Sequence, residues 1–188
     1  MVKTTQNQPN LKVRLLEVAV ELLSKPGQVK LPTMRELATK AGVAPGAAYR
    51  HFASQEELFL SVIVHLHNRL EQTLLESGGG NSNSQERLKN FAHAYVAWGL
   101  QNPGAYQLMF ETNDDDNFLE VGLRPGLHLI YQTAGLITGQ DQPSDDSVKM
   151  ATQLWTSLHG IVSLRTHKSG MPWQESPEAQ VDRLLSSF

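Results

Sequence analysis

Apolar positions along the chain recur every three or four residues, and no stretch sustains the every-second-residue alternation of half-buried strands. The pattern predicts an all-α protein of about nine helices. Leu15, Leu16, Ala19, Leu22 and Leu23 form one stripe over residues 11–24, closed by Pro26-Gly27. Thr33-Met34-Arg35-Glu36 has capping-box spacing, so a short helix over 34–40 follows. Ala41-Gly42-Val43 supplies a glycine where the chain must turn, and Pro45 suits the first position of a third helix over 45–51. Ser54-Gln55-Glu56-Glu57 repeats the box and opens a helix over 55–76. That helix carries Leu58, Val62, Leu66 and Leu70 on one line and Phe59 and Ile63 on another, which implies packing on two sides.

The stretch 77–84, rich in Gly, Ser and Asn, reads as a linker or exposed loop. Beyond it, residues 85–101 are amphipathic through Leu88, Phe91, Ala92, Tyr95 and Gly99, and Asn102-Pro103-Gly104 breaks them. A short helix over 104–112 precedes an acidic loop over 113–117 and a turn or short helix over 118–123. Helices over 125–138 and 145–167 follow, and Ser176-Pro177-Glu178 caps a last one that runs nearly to Phe188.

At 188 residues the size alone suggests one domain or slightly more. Without cysteine there is no disulfide framework, thiolate nucleophile or iron–sulfur cluster, and a reducing cytoplasm fits. The longest mainly apolar stretch, 58–66, is about half of what a membrane span needs, so no membrane association is expected. The net charge of −3 hides an asymmetry: residues 1–60 hold eight Lys/Arg against five Glu, or +3, which leaves −6 on the rest. A basic end on an acidic body lets one end approach phosphate while the other is repelled.

Two short helices joined by a glycine turn, between longer helices in the basic part of the chain, fit a helix-turn-helix, and by spacing alone also an ordinary αα-hairpin. In the first reading Val43, Ala48 and Phe52 face inward, and Pro45, Gly46, Ala47, Tyr49 and Arg50 lie outside. Gly46 and Ala47 would let the helix seat deeply against base edges, and the Ala47 methyl could meet a thymine methyl. Arg50 can reach a guanine edge or a phosphate, while Tyr49 and His51 can donate to phosphate oxygens.

The run Thr33 to Ala38, then Ala41-Gly42-Val43-Ala44-Pro45-Gly46-Ala47-Ala48-Tyr49-Arg50-His51-Phe52, then Ser54 to Leu58, resembles the DNA-binding domain of the TetR family of transcriptional regulators, over about residues 10–62. The resemblance implies an N-terminal DNA-binding domain over 1–54 and a C-terminal effector-binding and dimerisation domain over 55–188, joined by helix 55–76. It implies a double-stranded DNA operator, an unidentified small-molecule effector, and a homodimer formed through helices of about 145–167 and 176–187. Carried over by position, Thr33, Ala44, Pro45, Gly46, Ala47, Tyr49, Arg50, His51 and Gln55 are DNA-facing. Two of these depart from the family pattern. Ala44 stands where the family often has Ser or Thr, losing an N-cap hydroxyl worth about 0.5–2 kcal/mol in a typical helix. Gln55 stands where the family usually has Lys, replacing an ion pair to phosphate by a neutral hydrogen bond.

Trp155, His159 and Gly160, with Asn102 to Phe110 upstream, resemble a TetR C-terminal subclass named after its Trp-His-Gly triplet. That resemblance implies an effector cavity near Phe91, Tyr95, Trp98, Phe110, Leu129, Thr133, Trp155 and His159. Core packing is the competing reading for each of these.

No metal, cofactor or catalytic chemistry is expected. The seven histidines offer no i,i+4 pair, and Asp114-Asp115-Asp116 lacks the glycine and terminal glutamate of a calcium loop. Gly-x-Ser-x-Gly and a phosphate-cradling glycine loop with lysine are both absent. The expected function is a repressor released by a small apolar or amphipathic molecule. Alternatives are a helical ligand carrier or protein-interaction module that does not use the motif, and an activator without an effector.

Overall fold

A computed structural model describes residues 10–23, 31–78, 83–111, 125–139 and 142–187. Among these there are nine helices and no strand: α1 Leu11–Leu23, α2 Met34–Lys40, α3 Pro45–Tyr49, α4 Gln55–Ser77, α5 Ser84–Gln101, α6 Pro103–Phe110, α7 Pro125–Thr138, α8 Asp145–His167 and α9 Pro177–Leu185. The acidic loop at 113–117 and the turn or short helix at 118–123 lie outside the described residues, as does most of the linker.

Local sequence sets most of these boundaries. The α2 capping box is complete: Thr33 Oγ1 accepts from the Glu36 amide at 3.3 Å, and Glu36 Oε2 accepts from the Thr33 amide at 2.8 Å. At the other end the Val43 amide donates to the Ala38 carbonyl and the Gly42 amide to the Thr39 carbonyl, the paired bonds of a Schellman stop. Gly42 sits at φ 68°, where a side chain would be strained. Ala44 precedes α3 with no side-chain cap, so α3 relies on Pro45 at its first turn.

Two expectations shift in detail. Ser54 caps α4 by accepting from the Glu57 amide, but Glu57 Oε2 accepts from the Ala53 amide at 2.7 Å, one residue ahead of a true box. Helix α6 begins at Pro103 itself, and Asn102 turns back to donate to the Trp98 carbonyl instead of capping it.

One apolar core runs through the described helices. Helix α1 packs on α2, α4 and α6, and α2 packs on α3. Helix α4 packs on α5 and α6, while α5 touches α6, α7, α8 and α9 and is the centre of the C-terminal body. The two sides predicted for α4 follow from its buried Leu58, Val62, Leu66, Leu70 and Leu74 and the buried Ile63. Ala48 and Phe52, both fully buried, anchor α3, which packs on α2. Truncating a buried Phe of this kind to Ala typically costs about 3–5 kcal/mol. No helix among the described residues is long and apolar enough to cross a membrane.

Candidate functional site

Burying Ala48 and Phe52 turns the opposite side of α3 to solvent. Pro45, Gly46 and Arg50 are exposed, Tyr49 is 57% exposed, and Ala47 and His51 are half-buried. A Cβ added at Gly46 would meet nothing within 4 Å. The outward surface of α3 is thus small at its first turn and carries a phenol and a guanidinium at its end.

Contacts from α1 brace the segments on either side of α3. Arg14 donates to the Ala41 carbonyl in the turn, and the Lys12 ammonium lies 5.6 Å from the Phe52 ring centroid. Thr33 and Ala44 are exposed beside α3, and the Thr33 hydroxyl donates to Glu36 Oε2 at 2.8 Å. Gln55 Nε2 donates to the Pro32 carbonyl at 2.8 Å, which ties the start of α4 to the chain entering α2 and leaves one amide hydrogen for another acceptor. Further along, Glu17 on α1 bridges His65 at 2.9 Å and Arg69 at 3.2 Å on α4, so α1 and α4 are coupled by charge as well as by packing.

The second group of candidate residues gathers around α6. Tyr95, Phe110, Trp155 and His159 converge there, joined by Tyr106, which the sequence reading did not single out. The Tyr106 hydroxyl lies 2.6 Å from His159 Nδ1 and 2.9 Å from the Tyr95 hydroxyl. Burial lowers the His159 pKa, favouring the neutral ring, and pushes the pKa values of both phenols far above the tyrosine range. A neutral His159 accepting at Nδ1 makes Tyr106 the donor to it, so Tyr95 donates to Tyr106 and the remaining ring proton sits on His159 Nε2. Phe110 closes this chain, with its centroid 4.9 Å from Tyr106 and 6.2 Å from Trp155. The Trp155 indole nitrogen is buried, and its side chain acts on the Tyr95 hydroxyl, opposing the upward pull of burial there.

His67, on α4, meets Phe110 edge-on at 5.8 Å, and burial pushes its pKa down to about 4 against an opposing pull from Glu71. The sequence offered a signal for His67 that went unread: it continues the Phe59 and Ile63 line at the same four-residue interval. Tyr106 likewise lies four residues before Phe110 on one helix face.

Of the other candidates, Phe91, Trp98 and Leu129 are buried, and the buried Thr133 spends its hydroxyl on the Leu129 carbonyl at 2.7 Å. The predicted residues therefore meet as packed rings and aliphatic side chains. One open groove among the described residues, of about 340 Å³ between α4, α5 and α7, shares only Phe91 with the predicted set. No group of three or more His, Asp or Glu among the described residues could hold a metal ion.

The family described as "Tetracyclin repressor-like, C-terminal domain" matches residues 88–188, and "Bacterial regulatory proteins, tetR family" matches residues 15–62. The chain is 24% identical over 182 residues to the nucleoid occlusion factor SlmA of Vibrio campbellii (strain ATCC BAA-1116), covering 92% of this chain and 91% of that protein. It is similar in fold to a TetR transcriptional regulator from Legionella pneumophila, with a TM-score of 0.73 at 18% identity over 95% of this chain and 98% of that one. A TetR-like transcriptional regulator from Rhodococcus sp. RHA1 gives 0.70 at 19% identity over 95% and 94%.

Proposed function

Because this chain belongs to the TetR family of bacterial regulatory proteins, it is a DNA-binding transcriptional regulator, and we propose that it works as a homodimeric repressor released from a palindromic operator by a small apolar or amphipathic effector. Residues 1–54 form the reading head and residues 55–188 the effector-binding and dimerisation body, which we assign to the Trp-His-Gly subclass on Trp155, His159 and Gly160. The site of action is the cytoplasm.

The observation that carries this reading is the division of α3 into a fully buried side, Ala48 with neighbouring Phe52, and an exposed side with Pro45, Gly46, Tyr49 and Arg50. In our reading that exposed side enters the major groove. Thr33, Ala44, Ala47, His51 and Gln55 flank it, with the hydroxyl, imidazole and amide side chains among them positioned toward phosphate. Helices α8 and α9 pair with their copies so that two reading heads meet half-sites roughly 34–36 Å apart, or a multiple of that. An effector among Phe91, Tyr95, Trp98, Phe110, Leu129, Thr133, Trp155 and His159 would have to open the ring cluster around Phe110. It needs only to favour a different head spacing, by roughly 1–3 kcal/mol, to weaken binding to the operator.

Gel shift against the DNA flanking the gene, repeated across salt concentrations, tests the DNA reading. Arg50→Ala and Tyr49→Phe are expected to weaken binding while the thermal midpoint stays unchanged, and unaltered affinity for both variants contradicts the assignment. The match to a nucleoid occlusion factor along most of the chain favours a second reading, a DNA-bound factor acting in nucleoid occlusion. Mapping occupied sites across the chromosome separates the two, since a local repressor occupies few.

A further inference from the structure

At the end of the bundle remote from α2 and α3, the last turns of α4, the first turn of α5 and the second half of α7 enclose a half-open groove of about 340 Å³. That is near the lower end of the range of small-molecule sites, roughly 300–1,000 Å³. Leu74 and Phe91 are buried in its walls and Leu136 is partly buried. Leu75 and Tyr131, 65% and 49% exposed, leave large apolar side chains facing solvent beside it.

Among the described residues Arg87 is the only charged one that lines the groove. A Cβ added at Gly78 would lie 3.8 Å from Arg87 Nε, so the guanidinium arm lies against the end of α4. Among the described residues Arg87 has no carboxylate within ion-pair distance. The acids nearby in sequence are engaged or turned elsewhere: Glu71 accepts from Gln132 and pairs with His128, Glu76 accepts from Gln72, and Glu86 lines a neighbouring groove. In that neighbouring groove Lys89 is already paired with Asp182 at 2.9 Å, which leaves Arg87 as the cation open to a ligand among the described residues of the two grooves.

We propose that this groove binds a small amphipathic carboxylate. Its apolar chain lies against Leu74, Leu75, Phe91 and Leu136, and its carboxylate meets the Arg87 guanidinium. A planar guanidinium offers paired donors that match the two oxygens of a single carboxylate, whereas a neutral or cationic head gains nothing from it. No residue of α8 or α9 lines the groove, so pairing of two chains through those helices leaves it accessible. The site is separate from the Tyr95–Tyr106–His159 chain, and its occupancy is measured on the protein alone, without reference to DNA.

Calorimetric titration of the full chain with octanoate, 1-octanol and octyltrimethylammonium, each below self-association, reads the head-group preference. The expected result is one octanoate per chain, bound roughly tenfold or more tighter than octanol, with the cation weakest. Decanoate should bind about fifteenfold tighter than octanoate, from two further buried methylenes. Arg87→Gln should erase the preference for octanoate over octanol without altering octanol binding, and Leu75→Ser should weaken both. Both positions are exposed, so thermal midpoints equal to the parent accompany these effects. Equal affinity for octanoate and octanol in the parent, a preference that survives Arg87→Gln, or uptake that does not saturate at one per chain each overturns the proposal.

Discussion

Replacing Gly99 by Ala puts a methyl where the C-terminal body has no room for one. Gly99 lies on α5 against α6 and α8. A Cβ built there would stand 2.6 Å from Val162 Cγ1 and 2.9 and 3.0 Å from two ring carbons of Tyr106. Unstrained carbon contacts sit near 3.5–4.0 Å, so both neighbours would have to retreat by roughly 1 Å. Neither has slack: Val162 is fully buried, Tyr106 is 1% exposed, and the Tyr106 hydroxyl is held between Tyr95 and His159. Overpacking of this kind costs about 1–3 kcal/mol, and rigid neighbours argue for the upper end. The gain in helix propensity from Gly to Ala offsets about 1 kcal/mol, leaving a net loss of about 2 kcal/mol. For a chain of this length that lowers the thermal midpoint by roughly 4–8 °C. Denaturant and thermal unfolding at matched protein concentration read the change. A Gly99→Ala variant as stable as the parent, with an unaltered near-ultraviolet tyrosine signal, refutes the packing argument.

Tyr106→Phe keeps the ring and removes the central hydroxyl, which leaves His159 Nδ1 without its donor and the Tyr95 hydroxyl without its acceptor. We expect a loss of about 1–3 kcal/mol in chemical denaturation, and a loss below 0.5 would show that the chain contributes little. The His67 pKa, lowered from 6.5 to about 4, makes the folded state bind fewer protons than the unfolded chain. Its contribution is therefore intact above pH 6.5 and is lost as pH falls from 6.5 toward about 4, on the order of 3 kcal/mol in all. His67→Gln should flatten that part of the stability profile, and an unchanged slope contradicts the assignment. Thr33→Ala removes the hydroxyl that accepts from the Glu36 amide and should cost about 0.5–2 kcal/mol in urea unfolding, with no effect expected on the C-terminal rings.

The reading head was largely legible in the sequence because its boundaries are written in local chemistry. Thr33 and Glu36, Gly42 and Pro45 each act within one helical turn, so spacing alone located α2 and the start of α3. Glu57 shows the limit of such signals: the right residue at the right interval chose the Ala53 amide over Ser54, because the extended backbone at Ser54, φ −143° and ψ 168°, aims the amides differently. In the body, Tyr95, Phe110, Trp155 and His159 were legible as neighbours, but the role of Tyr106 depends on α5, α6 and α8 meeting. The groove at Arg87 was not legible at all. Its walls come from three helices distant in sequence, and that Arg87 at its edge has no acid partner among the described residues is apparent only once those helices are assembled.

The account turns on α3 presenting its exposed side to DNA twice, once from each chain of a dimer. Hydroxyl-radical footprinting of the parent and of Arg50→Ala on the DNA flanking the gene tests this most directly. The parent should protect two symmetry-related half-sites with centres about one helical turn, or a whole multiple of it, apart. Arg50→Ala should lose both together. A single protected patch, or a parent pattern retained in full by Arg50→Ala, contradicts the account.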